Sequence, residues 1–327
     1  MIVEKYLQNL IEDIKISPDL GNGNLFDDIY KRLTSAKYRT HSLPIDLDIK
    51  IKNKINYCLK HDIPLYFTVP FGGYKLYKYI SYPHLDWAEV FNLIQLRDYL
   101  FPLSKIYPKG VILEYWSDEI LVSEMNKYDQ KDLDTYNNEF NNLIKWFSQY
   151  LPDNFEIRFA KIRDRISYQK FWERVNQYVS ENVGKWDEID EDERQIRLTK
   201  AKRNMKIDLN KYSKEEQEKI LKHAALLHDA FIFGNWKEGI HWAFEPDMIA
   251  LGFRYTRSWG IPILSSRSSY CQFWIGYGAL RKHKEELIPT ILTFEQYQEN
   301  QNKFTYENVN VFPQEFCTLQ KIPIIGS

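Results

Sequence analysis

Apolar residues recur three and four positions apart from Val3 to Ile14, through Tyr6, Leu7, Leu10 and Ile11, which is the period of an amphipathic helix. Asp19 to Asn24, rich in Gly and Asn, reads as a loop. A second helix is expected from Leu25 to about Ala36, and a third, lysine-rich one is opened by Pro44 and ends near His61. The pattern then changes. Ile63 to Val69 is a short, continuous apolar run, the mark of a strand buried on both faces. Asp86 to Tyr99 returns to helical spacing, with Trp87, Val90, Phe91, Ile94 and Tyr99 largely on one side. Pro102 is expected to bend or end that helix, because it lacks an N–H and its ring clashes with the preceding turn. Gly110 to Trp116 predicts a second strand. Lys131 to Tyr150 predicts an amphipathic helix carrying Leu133, Tyr136, Phe140, Leu143, Ile144 and Phe147. Phe155 to Ala160 predicts a third strand.

Strand, helix, strand, helix, strand implies right-handed crossovers and a parallel sheet. From Lys185 to Lys222 charge dominates, which predicts exposed helices, either an insertion or a link to a C-terminal half. Ile249 to Thr256, Ile261 to Leu264 and Cys271 to Ile275 resemble further strands, and a Pro-containing tail with little periodicity runs to Ser327. The expected organisation is a helical segment (1–61), the first half of an α/β core (62–184), a charged helical insertion (185–222) and a C-terminal half (223–327) that completes the sheet and pocket.

Lys and Arg number 44 against 45 Asp and Glu, a net charge of −1, which excludes a nucleic-acid binder held by bulk charge. No stretch approaches the roughly 18 apolar residues of a membrane helix, and the N-terminus has no apolar core of a secretory signal. A cytoplasmic protein without membrane or nucleic-acid partners is expected. Cys58, Cys271 and Cys317 are far apart and no CxxC occurs, so neither a disulfide framework nor a cysteine zinc site is expected. Aromatic residues make up 16%, which fits a core of half-buried tyrosines or a pocket for an aromatic or sugar ligand.

Ligands of open parallel sheets bind beyond the carboxyl ends of the strands. That rule selects Pro70 to Lys75, Ser117 to Glu119, and Lys161 to Arg165. Gly72 and Gly73 let peptide N–H groups approach an anion, and Lys75, Arg163 and Arg165 supply charge for a phosphate or carboxylate. Asp118 and Glu119 can bind hydroxyls or move protons. The alternative for the glycine pair is a plain turn. Asp86, with Glu89 three residues on, matches a capping box, although Glu89 can also face the site. A second polar knot, Ser265, Arg267 and Ser268 followed by Trp274, suits an anion beside a flat ligand, or is only a hairpin. His228 and His241 are candidate general bases, and His228 with Asp229 can belong to a metal phosphohydrolase site, with His41, His61 and Asp247 available as companions. A hydrogen-bonded structural histidine is the plainer reading.

The order of these motifs is similar to the isocyanide (isonitrile) synthase family, the pyoverdine/dityrosine-type biosynthesis proteins. The resemblance rests on residues 63–147: a strand ending in Pro70-Phe-Gly-Gly-Tyr-Lys75, then Pro83-x-x-Asp-Trp-Ala-Glu89, Tyr107-Pro-Lys-Gly110, a strand, Ser117-Asp118, and Asp132-x-x-x-Tyr136. The chain departs from that pattern in the Gly72-Gly-Tyr inserted before Lys75 and in Glu119, where the family has Gly. The resemblance implies a modified Rossmann-like α/β fold, a largely parallel sheet with helices on both faces. It also implies a transferase or lyase that joins an amino acid amine to the carbonyl of ribulose 5-phosphate and converts that nitrogen to an isocyanide, with no metal or other cofactor. Tyr74, Trp116 and Trp274 would wall an aromatic side chain. A non-catalytic α/β binding protein, docking a partner through 185–222, is the alternative.

Overall fold

The computed structural model describes residues 2–14, 23–43, 45–233, 248–253, 260–269 and 271–326, apart from the side chains at 46, 232 and 233. Three helices come first: α1 (Ile2–Glu12), α2 (Leu25–Leu33) and α3 (Ile45–His61). The expected alternation then follows as β1 (Leu65–Phe71), α4 (Trp87–Ile106), β2 (Val111–Ser117), α5 (Glu119–Asn126), α6 (Gln130–Phe147) and β3 (Phe155–Lys161). After α7 (Tyr168–Asn182), the charged segment 185–222 supplies α8 (Glu191–Asn204) and the first half of α9 (Lys214–Phe233). The chain returns as β4 (Met248–Gly252), β5 (Ile261–Pro262), β6 (Tyr277–His283), β7 (Glu286–Leu292), α10 (Phe294–Asn300), β8 (Phe304–Asn308) and β9 (Lys321–Ile325).

The first five strands form one sheet in the order β3-β2-β1-β4-β5, parallel at every junction. Side chains alternate across it. Leu65, Phe67, Val69 and Phe71 of β1, with Val111, Leu113 and Tyr115 of β2, face the main core against α4 and α6. Trp116 of β2 and Ala250 of β4 face a second core made with α5, α7 and α9. The fold is therefore Rossmann-like, with helices on both sheet faces, as the strand pattern predicts.

A second sheet, in the order β7-β6-β9-β8, covers the outside of α4. That explains why α4 is buried on almost every side: it is clamped between two sheets. The sequence pattern does not show this sheet. Phe273–Ile275 is a 3-10 turn and not the strand expected over Cys271 to Ile275, and the tail without clear periodicity supplies β8 and β9. Of the strand expected over Ile249 to Thr256, residues 254–256 lie outside the described residues, as do most of the loop at 19–24 and Pro44.

Pro102 does not end α4, which continues to Ile106. Proline leaves the Asp98 carbonyl without its helical amide donor. The buried Arg32 of α2 replaces it, with Nη2 donating to Asp98 O (2.6 Å) and Nε donating to Tyr99 O (2.8 Å). Arg97 performs the same service for α1: its Nη2 donates to Leu10 O (3.0 Å), and its Nη1 reaches Ile11 O at the helix C-terminus.

Candidate functional site

Phe71, Ser117 and Lys161 are Cα partners, so β1, β2 and β3 end level and their three following loops leave one rim. The β1 loop turns onto the start of α5. Gly73 has a φ of +68°, and a Cβ there would stand 2.5 Å from Ser117 Oγ and 2.9 Å from Glu119 Cβ. Only glycine fits that position. Asn137 of α6 holds the turn by donating from Nδ2 to Gly73 O (2.9 Å). Gly72 is pressed against Trp274, whose Nε1 would be 2.3 Å from a Cβ.

Asp118 occupies the N-cap of α5 but makes no side-chain cap bond. Its Oδ1 is buried and has no hydrogen-bond partner among the described residues. Burial, and then the neighbouring Glu119, push its pKa up to about 8. At neutral pH the group is therefore mainly a carboxylic acid. Glu119 is fully buried and engaged: its Oε1 accepts from Arg163 Nε (2.6 Å) and Nη2 (2.5 Å), and its Oε2 accepts from Ser117 Oγ (2.8 Å). The Arg163 side chain is 43% exposed, so it is anchored on Glu119 and still reaches solvent. Arg165 lies 3.4 Å from Glu114 Oε1 and over the Trp116 ring, also half-exposed. Tyr74 is buried. Burial and Asp118 raise its pKa, whereas Arg203 lowers it.

Lys75 is not an open anion ligand. It is fully buried, and its Nζ meets Asp86 Oδ2 (2.8 Å), Glu89 Oε1 (3.0 Å), Gly276 O (2.9 Å) and Phe273 O (3.3 Å). An ammonium has only three donors, so nothing remains for a ligand. Burial opposes its charge, but the two carboxylates together raise its pKa above the ordinary lysine value. Glu89 faces the same cluster. Its Oε2 accepts from Asp86 N (2.8 Å), its Oε1 accepts from Tyr136 Oη (2.8 Å), and burial raises its pKa against the pull of Lys75. The capping box at Asp86 and Glu89 is formed, and neither acid faces the rim. Trp274 belongs to the core, packed at ring distance from Phe71, Phe253 and Phe273, and does not wall a free pocket.

The second polar knot does not join the rim. Ser265 is buried, and its carbonyl accepts from Asn92 Nδ2 (2.8 Å). Ser268 is exposed and 3.2 Å from Thr290 of β7. Arg267 is exposed, and its charge acts on Tyr6 of α1 beside Glu286. Among the described residues, no contact links Arg267 to Asp118, Glu119 or Arg163. His228 lies on α9, in the layer packed on α7 and α8, with Nδ1 4.0 Å from Asp229 Oδ1. Asp229 is ion-paired with Arg197, which turns that acid towards an arginine. His241 and Asp247 lie outside the described residues.

Two cations that the sequence reading passed over act near the β1 loop. Arg203, in the last turn of α8, acts electrostatically on Tyr74, Tyr79 and Cys271. Lys78 follows the β1 loop and lies 5.0 Å from the Phe294 ring centroid. The only sequence signal was the basic end of α8, which looks like any solvated helix face. Lys206 fixes that end in place, with Nζ donating to Asp132 Oδ2 (2.7 Å), Asp129 Oδ2 (2.8 Å) and Tyr82 Oη (2.9 Å).

No helix among the described residues is long and apolar enough to cross a membrane. No family model matches the chain, and no curated protein matches it in sequence. Among solved structures, it is similar to the PvcA protein of Pseudomonas aeruginosa, with a TM-score of 0.66 and 13% identity over 92% of this chain and 100% of that one. At that identity the likeness is one of fold, over most of the chain.

Proposed function

We propose that this chain is an enzyme of the isocyanide-synthase type, or a diverged relative with similar substrates. It would join the amine of an amino acid to the carbonyl of a phosphorylated ketose of the ribulose 5-phosphate kind, on the way to an isonitrile. The observation that supports this reading is Asp118: a carboxyl with a buried, unpartnered oxygen, kept protonated near neutrality, on the rim where sheets of this class bind ligands. A neutral carboxylic acid suits the first step. As the amine nitrogen attacks the ketose carbonyl carbon, Asp118 gives its proton to the carbonyl oxygen, and the carboxylate then takes a proton from the new ammonium. Loss of water leaves a C=N bond, and each proton is accounted for. The low-dielectric surroundings that raise the pKa also keep the acid close in strength to the groups it serves. Arg163, held on Glu119 and still reaching solvent, would orient the amino acid carboxylate.

The test is incubation of the purified protein with ribulose 5-phosphate and each of the twenty amino acids, followed by mass spectrometry. An isonitrile from one of them, absent with Asp118→Asn, is the expected result. No product from any of the twenty refutes the reading.

A further inference from the structure

The stretch after the β1 loop, the end of α8 and the start of α10 come together. Lys78 Nζ lies over two rings, 5.0 Å from Phe294 and 5.4 Å from Tyr77. Glu295, adjacent to Phe294, pairs with Arg203 Nη1 at 3.5 Å. Lys202 adds a third positive charge on the exposed side of the same turn. Among the described residues, one carboxylate, Glu295, stands against these three cations, and Lys78 has neither an ion pair nor a hydrogen bond. Burial lowers the Lys78 pKa, and Arg203 and then Lys202 lower it further. Crowded like charges on an apolar floor repel, and a ligand with two negative charges would remove that cost and match the excess of two.

The charges of both Asp118 and Arg203 act on the buried Tyr74 of the β1 loop, which links the cluster to that acid. The geometry points to Lys78, Lys202 and Arg203 as the phosphoryl-binding site for a sugar-phosphate substrate, presenting the substrate's carbonyl end to Asp118. This assignment rests on the reading of the rim given above. Arg203 offers a planar fork to the phosphoryl oxygens and Lys78 a point charge beneath them. The charged segment thus contributes to the site, and its helices are more than a solvated cover.

Calorimetric titration of the full chain with inorganic phosphate and with ribulose 5-phosphate, at low salt, tests the assignment. Lys78→Ala, Lys202→Ala and Arg203→Ala should each weaken both ligands, by roughly tenfold for Lys78 and Arg203 and by less for the exposed Lys202. Lys211→Ala, which removes the same charge from an exposed side chain elsewhere, should change neither. Arg203→Lys should recover part of the loss, which separates a misfolded variant from a missing charge. Wild-type failure to bind phosphate, or unchanged affinity in the Lys78 and Arg203 variants, overturns the site. Asp118→Asn should bind inorganic phosphate as tightly as wild type. If it also kept full turnover, the acid role of Asp118 would fall while the phosphoryl site stood.

Discussion

Asparagine at position 118 should stabilise the protein at alkaline pH and leave its stability unchanged near pH 4. The Asp118 pKa rises to about 8 in the folded chain, against about 3.9 for an unfolded aspartate. Between those values the unfolded chain has released a proton that the folded chain still holds. Each step upward in pH therefore favours unfolding, and the cost is absent below the unfolded pKa and complete above the folded one. A gap of about four pH units at 1.36 kcal/mol each sets a ceiling of about 5.5 kcal/mol. The residue keeps some solvent exposure even though Oδ1 is buried, and screening brings the expected gain to about 2–3 kcal/mol. Guanidinium unfolding of wild type and Asp118→Asn over a pH series gives the difference directly, and other titrating groups such as Glu89 cancel in it. The difference should climb from near zero at about pH 4 to a plateau above about pH 8. A flat difference would mean that Asp118 ionises like any surface carboxylate and has no proton to give at neutrality.

Other substitutions separate structural from chemical roles. Lys75→Met should destabilise the fold by about 3–5 kcal/mol, because it strands two buried carboxylates, and adding Glu89→Gln should restore part of that; a shift below about 1 kcal/mol in denaturant midpoints would contradict the triad. Arg32→Ala should cost about 3 kcal/mol or more through two lost charge-assisted bonds to backbone carbonyls. Its effect should shrink in a Pro102→Ala background, where the Asp98 carbonyl regains an amide, and strict additivity in that double-mutant cycle would refute the compensation. Gly73→Ala should lower stability by about 1–3 kcal/mol through overpacking and a strained φ, whereas Gly184→Ala, which meets nothing within 4 Å, should stay within about 0.5 kcal/mol in the same thermal melts.

The parallel sheet was legible because β1, β2 and β3 are written as local apolar runs between helical periods, and the capping box because its two acids are three residues apart. What escaped was set by partners distant along the chain. Nothing near Pro102 announces Arg32, about seventy residues earlier, which supplies the missing donors. The second sheet consists of short strands whose apolar faces make sense only against α4. For Lys75 the local spacing could not show its partners, because the carbonyls of Phe273 and Gly276 that fill its coordination come from the other end of the sequence. Arg267 lies in an apolar stretch that suggested a pocket, yet the hairpin turns it outward beside α1. Arg203 hid in a run of charges, because composition cannot tell which member of such a run faces inward.

The pairing of β1 with β4 spans about 180 residues and leaves β1 with one open edge until β4 is present. On the ribosome, the first three strands can associate early. The nascent chain then carries an unpaired strand edge, and a lysine already beside Asp86 and Glu89 waits for residues 273 and 276 to emerge. Separately expressed halves of this protein should therefore be poorly soluble alone and recover when produced together. A holdase chaperone would have its greatest effect in the interval before β4 is translated.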